Sequence, residues 1–226
     1  MYAKYFKRII DFILSLIALI VLSPVLVVLM ILGAVFMRGN PFFTQPRPGK
    51  NERIFKLIKF RTMDNRKDAD GNLLPDEVRL NGYGKFLRST SLDELPELIN
   101  ILVGDMAVIG PRPQLVRDMV FMSDEQRRRH SVRPGLSGLA QVNGRNVITW
   151  EDKLNWDLKY IEKITFLGDV KIIFETLDKV FKRADINREG TASDMDFGDY
   201  LLAKGEAGKE EYDMKQAEAK KLLRRG

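Results

Sequence analysis

From Phe12 to Met37 the chain carries no charged residue. As one helix this run would extend about 39 Å, beyond the roughly 30 Å hydrocarbon core of a bilayer. No other segment restricts the fold as much. A secretory leader does not fit, because no small-residue cleavage site follows the apolar stretch. Two features argue against a simple crossing. Ser23-Pro24 falls near the middle, and proline removes a backbone donor and clashes with the preceding turn, so a helix bends or breaks there. Each half is then about 12–13 residues, roughly 18–20 Å, too short to cross alone. Both flanks are also basic: Lys4, Lys7 and Arg8 before, Arg38, Arg47, Lys50 and Arg53 after. A spanning helix would leave one basic flank outside, against the positive-inside tendency. A re-entrant hairpin broken at Ser23 and Pro24, entering and leaving by the cytoplasmic face, satisfies both. An ordinary span and a soluble core helix are the other readings of the pattern.

The rest of the chain is polar enough to fold in water around one core. Its formal net charge of +6 and pI near 9.4 favour an anionic partner such as nucleic acid, anionic lipid or a phosphorylated substrate. The absence of cysteine excludes disulfides and thiolate chemistry. The single histidine, His130, cannot build a multi-histidine metal site, and within "DEQRRRHS" it reads as a solvated surface residue.

"GNPFFTQPRPGKNE" is dense in Gly, Pro and Asn and reads as a loop returning from the membrane. "RIFKLIKFRTM" alternates as a strand, with Ile58 and Phe60 on one face and Lys59 and Arg61 on the other. A polar loop follows, and "YGKFLRST" is a short helical candidate. "ELPELINILV" has Leu95, Leu98, Ile99 and Leu102 at helical spacing, with Gly104 placed to end it. "MAVIG" is a short strand running into Pro111-Arg112-Pro113. "LVRDMVFMSDEQRRR" is expected to be helical, and "VRPGLSGLAQVNGRN" to form turns and hairpins. "VKIIFETLDKVFKR" is amphipathic with basic flanks, which suits a membrane interface and equally a core-packing surface helix. The expected class is α+β, mainly helical. It comprises a membrane hairpin over 1–38, a small cytosolic domain with short strands over 39–184, and a polar, flexible tail over 185–226 with a frayed last helix.

Within this frame one short stretch stands out. "SLDELPEL" sets Asp93 and Glu94 ahead of Pro96, which is tolerated only in the first turn of a helix. The helix is therefore expected to start near Asp93, at or next to its N-cap, where backbone N–H groups favour carboxylates and phosphates alike. Capping alone accounts for a lone acid pair. Here, however, Lys59, Arg61, Arg88, Arg112 and Arg145 all stand beside structural breaks, and an arginine between two prolines has its backbone direction nearly fixed. Neither stacking aromatics nor a helix-turn-helix accompanies these cations, so nucleic acid is disfavoured. Carboxylates among cations point instead to phosphoryl chemistry on a diphosphate with a divalent metal.

Four stretches, "KRIIDFILSLIALIVLSP", "FTQPRPGKNERIFKLIKFRTM", "RSTSLDELPELINILVGDMAVIGPRP" and "VRPGLSGLAQVNGRN", resemble the bacterial sugar transferases, or monotopic phosphoglycosyl transferases. The likeness is greatest to the small, Campylobacter-type enzymes that begin protein N-glycosylation. It implies transfer of a sugar-1-phosphate from a UDP-sugar to polyprenyl (undecaprenyl) phosphate at the cytoplasmic leaflet of the bacterial inner membrane, with release of UMP. It also implies Asp93 as the nucleophile that forms a covalent phosphosugar-enzyme, Glu94 as partner base or metal ligand, and magnesium (Mg2+) held by Asp93 and Glu94. Lys59, Arg88, Arg112 and Arg145 match cationic family positions near the phosphates. The small enzymes lean the donor toward an N-acetylated or diacetamido-dideoxy hexose. The alternatives are a hexose-1-phosphate transferase initiating capsule or exopolysaccharide, a non-enzymatic membrane-anchored scaffold, and a membrane-associated nucleic-acid binder.

Overall fold

Ser23 and Pro24 lie inside one continuous helix, α1 (Lys7–Phe36), preceded by a π-helical turn at Tyr2–Phe6. The computed structural model describes residues 1–144, 148–182 and 195–225. The expected division into two helices is thus not seen. The Ser23 hydroxyl donates to the Ile20 carbonyl at 2.8 Å. That carbonyl is the one a residue with an N–H at position 24 would have engaged, so the serine repairs the bond that proline removes. Residues 2–36 are long and apolar enough to cross a membrane by length and composition.

After α1 comes a hairpin of β1 (Phe42–Pro48) and β2 (Ile54–Phe60), paired antiparallel with Phe42 opposite Phe60. The stretch expected as a returning loop therefore supplies a strand and the turn that follows it. Next are α2 (Asp76–Arg79) and α3 (Gly82–Thr90), a 3-10 turn at Leu92–Glu94, and α4 (Glu97–Val103). β3 (Ala107–Ile109) is followed by α5 (Val116–Met119), α6 (Asp124–Arg127), a 3-10 turn at Arg128–Ser131, β4 (Gly135–Ser137) and α7 (Leu139–Val142). β4 pairs parallel with β3, so the glycine-rich segment expected as a hairpin supplies a strand and a short helix. Glycine is required there, since a Cβ on Gly135 would lie 2.1 Å from the Gly110 nitrogen. Two longer helices, α8 (Trp150–Glu162) and α9 (Phe166–Lys182), precede α10 (Phe197–Lys204) and α11 (Lys209–Arg225).

Two of the domain's buried clusters are built against α1. Leu26, Leu29, Met30 and Met37 pack on Phe60, Tyr83 and Leu87, while Ala18, Leu19 and Leu22 pack on Leu98, Ile101 and Met106. The opposite side of α1 presents Ile9, Ile13, Ile17, Ile20, Val28, Ile31 and Val35 outward. The tail is not free over its described part. Phe197 and Ala219 join a buried cluster with Val116, Met119, Phe121, Trp150 and Leu154, so the flexible-tail expectation is corrected from about residue 195 on. Composition misled because the polar residues of α10 and α11 face water while a few apolar ones complete the core.

His130 is likewise corrected: it is 5% exposed, with Nδ1 3.5 Å from Glu52. The neighbouring Arg129 forms a buried ion pair with Asp157 at 2.6 Å, and this draws the turn inward. Burial, then the charge of Arg129, pushes the imidazole down to about 3 from 6.5. The unfolded chain therefore binds the proton first as pH falls. The stabilisation is complete above about pH 6.5 and is lost as pH drops through that value toward 3, a loss of about 2 kcal/mol at pH 5. Thermal unfolding in detergent at pH 7.5 and pH 5 should show this loss in the wild type and much less of it in His130→Gln. Equal pH slopes for the two proteins would mean that His130 is not held neutral.

Candidate active site

The 3-10 turn carrying Asp93 and Glu94 is made by the end of one helix meeting the start of another. Ser91 closes α3 in the left-handed region at φ 56°, and Pro96 precedes α4. A non-glycine residue with positive φ is uncommon and often sits near functional groups. The acids thus stand one turn before α4 rather than at its N-cap, which corrects the placement read from Pro96. β2 runs alongside: Asn100 of α4 accepts from the Ile58 N–H at 3.0 Å and donates to the Lys56 carbonyl at 2.8 Å. This contact presents Lys59 to the acids.

Glu94 Oε1 is held by two cations, Lys59 Nζ at 2.8 Å and Arg112 Nη2 at 2.6 Å. Burial alone would raise the Glu94 pKa, but Arg112 and Lys59 outweigh it and hold the carboxyl well below its usual range. Burial likewise would lower Lys59, yet Glu94 and Glu97 raise it. Glu94 raises Arg112. Asp93, half-buried beside this group, forms no ion pair or side-chain hydrogen bond among the described residues. Burial first, and the adjacent Glu94 second, pushes it up to about 6. The two acids are therefore split: one ionised and locked, one more basic and unengaged.

Arg112 is placed from behind. Its carbonyl accepts from Arg129 Nη2 at 2.6 Å, and the next carbonyl, of Pro113, accepts from Arg47 at 3.0 Å. Arg88, in the last turn of α3, donates to the Thr62 hydroxyl at 3.1 Å and acts on Asp93 as a positive charge. α3 reaches Thr62 only because Gly84 lacks a side chain; a Cβ there would meet the Thr62 carbonyl at 1.8 Å. Of the cations expected from sequence, Lys59, Arg88 and Arg112 are therefore brought to the acids. Arg61 is not among their partners; it contacts the Phe42 carbonyl at 3.4 Å. Arg145 lies outside the described residues. The sequence reading missed Glu97, which is 2% exposed and 3.1 Å from Lys59 Nζ, with its carboxyl pushed up to about 7 by burial. Its signal was the spacing: three residues after Glu94, one helical turn on.

No group of three or more acidic, histidine or cysteine side chains forms a metal cage among the described residues. A magnesium ion that entered with a diphosphate would need only one or two protein carboxylates, the number that the adjacent Asp93 and Glu94 offer.

Residues 2–183 match the bacterial sugar transferase family. The chain is 49% identical over 143 residues to the uncharacterized sugar transferase EpsL of Bacillus subtilis, covering 63% of this chain and 71% of that one. It is 39% identical over 191 residues to the UDP-glucose:undecaprenyl-phosphate glucose-1-phosphate transferase of Klebsiella pneumoniae, covering 78% and 40%. It is 31% identical over 199 residues to the undecaprenyl-phosphate galactose phosphotransferase of Salmonella typhimurium, covering 80% and 41%. The chain thus spans about two fifths of the length of the latter two relatives.

Proposed function

The chain belongs to the bacterial sugar transferase family, and on that premise we propose that it moves a sugar-1-phosphate from a UDP-sugar to polyprenyl phosphate, releasing UMP. The observation that carries this reading is the unengaged Asp93 beside a Glu94 locked by Lys59 and Arg112. An oxygen of Asp93 attacks the β-phosphorus of the donor, the bond from that phosphorus to the bridging oxygen breaks, and UMP leaves with the electron pair. An oxygen of polyprenyl phosphate then attacks the same phosphorus. The aspartyl bond breaks, and the carboxylate is regenerated with no net proton transferred. A pKa near 6 makes Asp93 the better nucleophile of the two while leaving it mostly ionised at neutral pH. Glu94, whose proton affinity is depressed, suits a ligand's role better than a base's. Arg88, Arg112 and Lys59 offset the charge of the diphosphate. Magnesium, when bound through Asp93 and Glu94, would supply further neutralisation of the phosphate oxygens.

The relatives whose names specify a sugar act on glucose or galactose, so a hexose donor stands beside the N-acetylated one implied by resemblance. The test is UMP release by solubilised protein given polyprenyl phosphate and a panel of UDP-glucose, UDP-galactose and N-acetylated UDP-sugars. Release is expected with one donor class and only in the presence of the acidic pair. No release with any donor would leave the scaffold reading in its place.

The seat in the membrane follows from what α1 touches. Near its start, Arg8 donates to the Ile101 and Leu102 carbonyls at 2.7 and 2.8 Å; near its end, Asn81 donates to the Phe36 carbonyl at 3.2 Å and Tyr83 to the Leu29 carbonyl at 2.7 Å. Both ends therefore rest on the same domain, although a 30-residue helix is about 45 Å long. A helix crossing the bilayer would carry one end away from that domain. We read α1 as lying in one leaflet with its outer apolar side in lipid, both termini facing the cytoplasm. Cysteines placed at Tyr2 and Asn51 should both resist an impermeant thiol reagent added outside intact cells. Labelling at Tyr2 alone would establish a crossing.

A further inference from the structure

The family match ends at residue 183, but the chain beyond it returns to the segment that follows Arg112. Asp118, 2% exposed, uses both carboxylate oxygens: Oδ2 accepts the Leu115 N–H at 3.0 Å and Oδ1 accepts the Phe197 N–H at 2.9 Å. Arg117 pairs with Asp196, and Trp150 Nε1 donates to the Met195 carbonyl at 3.0 Å. From α11, Lys215 Nζ donates to the Val120 carbonyl at 2.7 Å. The Phe197 ring lies 4.9 Å from that of Trp150, tilted by 34°, and Gly198 lies so close to Phe121 that a Cβ would meet its ring at 2.5 Å. Each of these contacts falls on residues 115–122 or on Trp150 beside them. Only Pro113 and Gln114 separate Arg112 from Leu115, and Pro113 has a fixed φ and a carbonyl held by Arg47. A shift at Leu115 therefore has little slack in which to dissipate before it reaches the guanidinium on Glu94.

We infer that α10 and α11 form a positioning element for Arg112, with Asp118 as the residue that transmits the constraint. The inference rests on the placing of Arg112 at the phosphate site in the proposed function. It assigns the segment outside the family region a role in turnover rather than in mere attachment. Asp118 touches no reacting atom; it acts by fixing the start of α5.

The experiment is a double-mutant cycle on full-length protein in detergent, read as kcat/KM for UMP release. Asp118→Asn keeps the size of the side chain but turns an amide N–H toward one of the two backbone N–H groups. It should lower kcat/KM by about tenfold, since displacements of around 1 Å can cost up to a hundredfold. Lys215→Met should lower it by a smaller factor, about two- to threefold by the same reasoning. Combined with Arg112→Ala, neither should add a measurable loss to that from Arg112→Ala alone, because the residue they position is already gone. Losses that multiply in the double variants would mean a purely structural role, and wild-type kcat/KM in Asp118→Asn would overturn the inference outright. Should Asp118→Asn not fold, the Lys215→Met cycle decides by the same criterion. If Arg112→Ala alone has no effect, the placing of Arg112 fails first, a result distinct from additivity in the cycle.

Discussion

Asp93→Asn is expected to abolish both turnover and covalent labelling. The amide keeps the size of the side chain but offers no anionic oxygen to phosphorus. Removing a nucleophile that acts with its neighbours as one unit costs on the order of 10⁴-fold or more. The measurement is incubation with a UDP-sugar labelled in the sugar, without polyprenyl phosphate, followed by mass spectrometry of the protein. Wild type should carry label at Asp93 and release UMP in equal amount, and Asp93→Asn should do neither. Glu94→Gln retains the nucleophile, so it should label slowly. If wild type never acquires label and UMP appears only with both substrates present, the covalent route fails. Direct attack by the lipid phosphate then becomes the better account.

The second large effect is expected at Arg112. Its guanidinium reaches Glu94 at 2.6 Å while the side chain remains 41% exposed, so the pairing does not close it off from solvent. Lysine keeps the charge but not the fork of donors, and a bidentate site does not tolerate that exchange. Losing one charge-assisted contact made in the transition state costs about 2–4 kcal/mol, roughly thirty- to several-hundred-fold in rate. Arg112→Lys should therefore lower kcat by that factor, with Glu94 left on Lys59 alone. Unaltered turnover in Arg112→Lys would remove the residue from the site.

Much of the site is legible one residue at a time. Asp93 and Glu94 are marked by their place ahead of Pro96, and Arg112 by its two prolines, because proline fixes the backbone wherever it stands. Arg61 passed the same filter as Lys59 by alternating with Ile58 and Phe60, yet it ends on the Phe42 carbonyl. Proximity to a structural break says where a side chain is held, not what it is held against. Glu97 went unnoticed for the complementary reason. Its carboxylate is hidden inside an amphipathic helix, and only the approach of β2, through Asn100, brings Lys59 to it.

Membrane association, the mainly helical class and the position of the acid pair can be read from local chemistry alone: an uncharged apolar run, helical spacing, and acids beside proline. Packing between distant parts of the chain supplied the remainder. It kept α1 intact through Pro24, where the Ser23 hydroxyl meets the Ile20 carbonyl, and it laid both ends of that helix on one domain. It buried His130 behind the Arg129–Asp157 pair and folded a polar tail onto Trp150 through a few apolar residues. It also divided two adjacent carboxylates, Glu94 locked and Asp93 without an ion pair among the described residues, by bringing Lys59 and Arg112 from a strand and a loop onto Glu94 rather than Asp93. Burial and pairing depend on neighbours that are remote along the chain, and composition and periodicity carry no record of those neighbours.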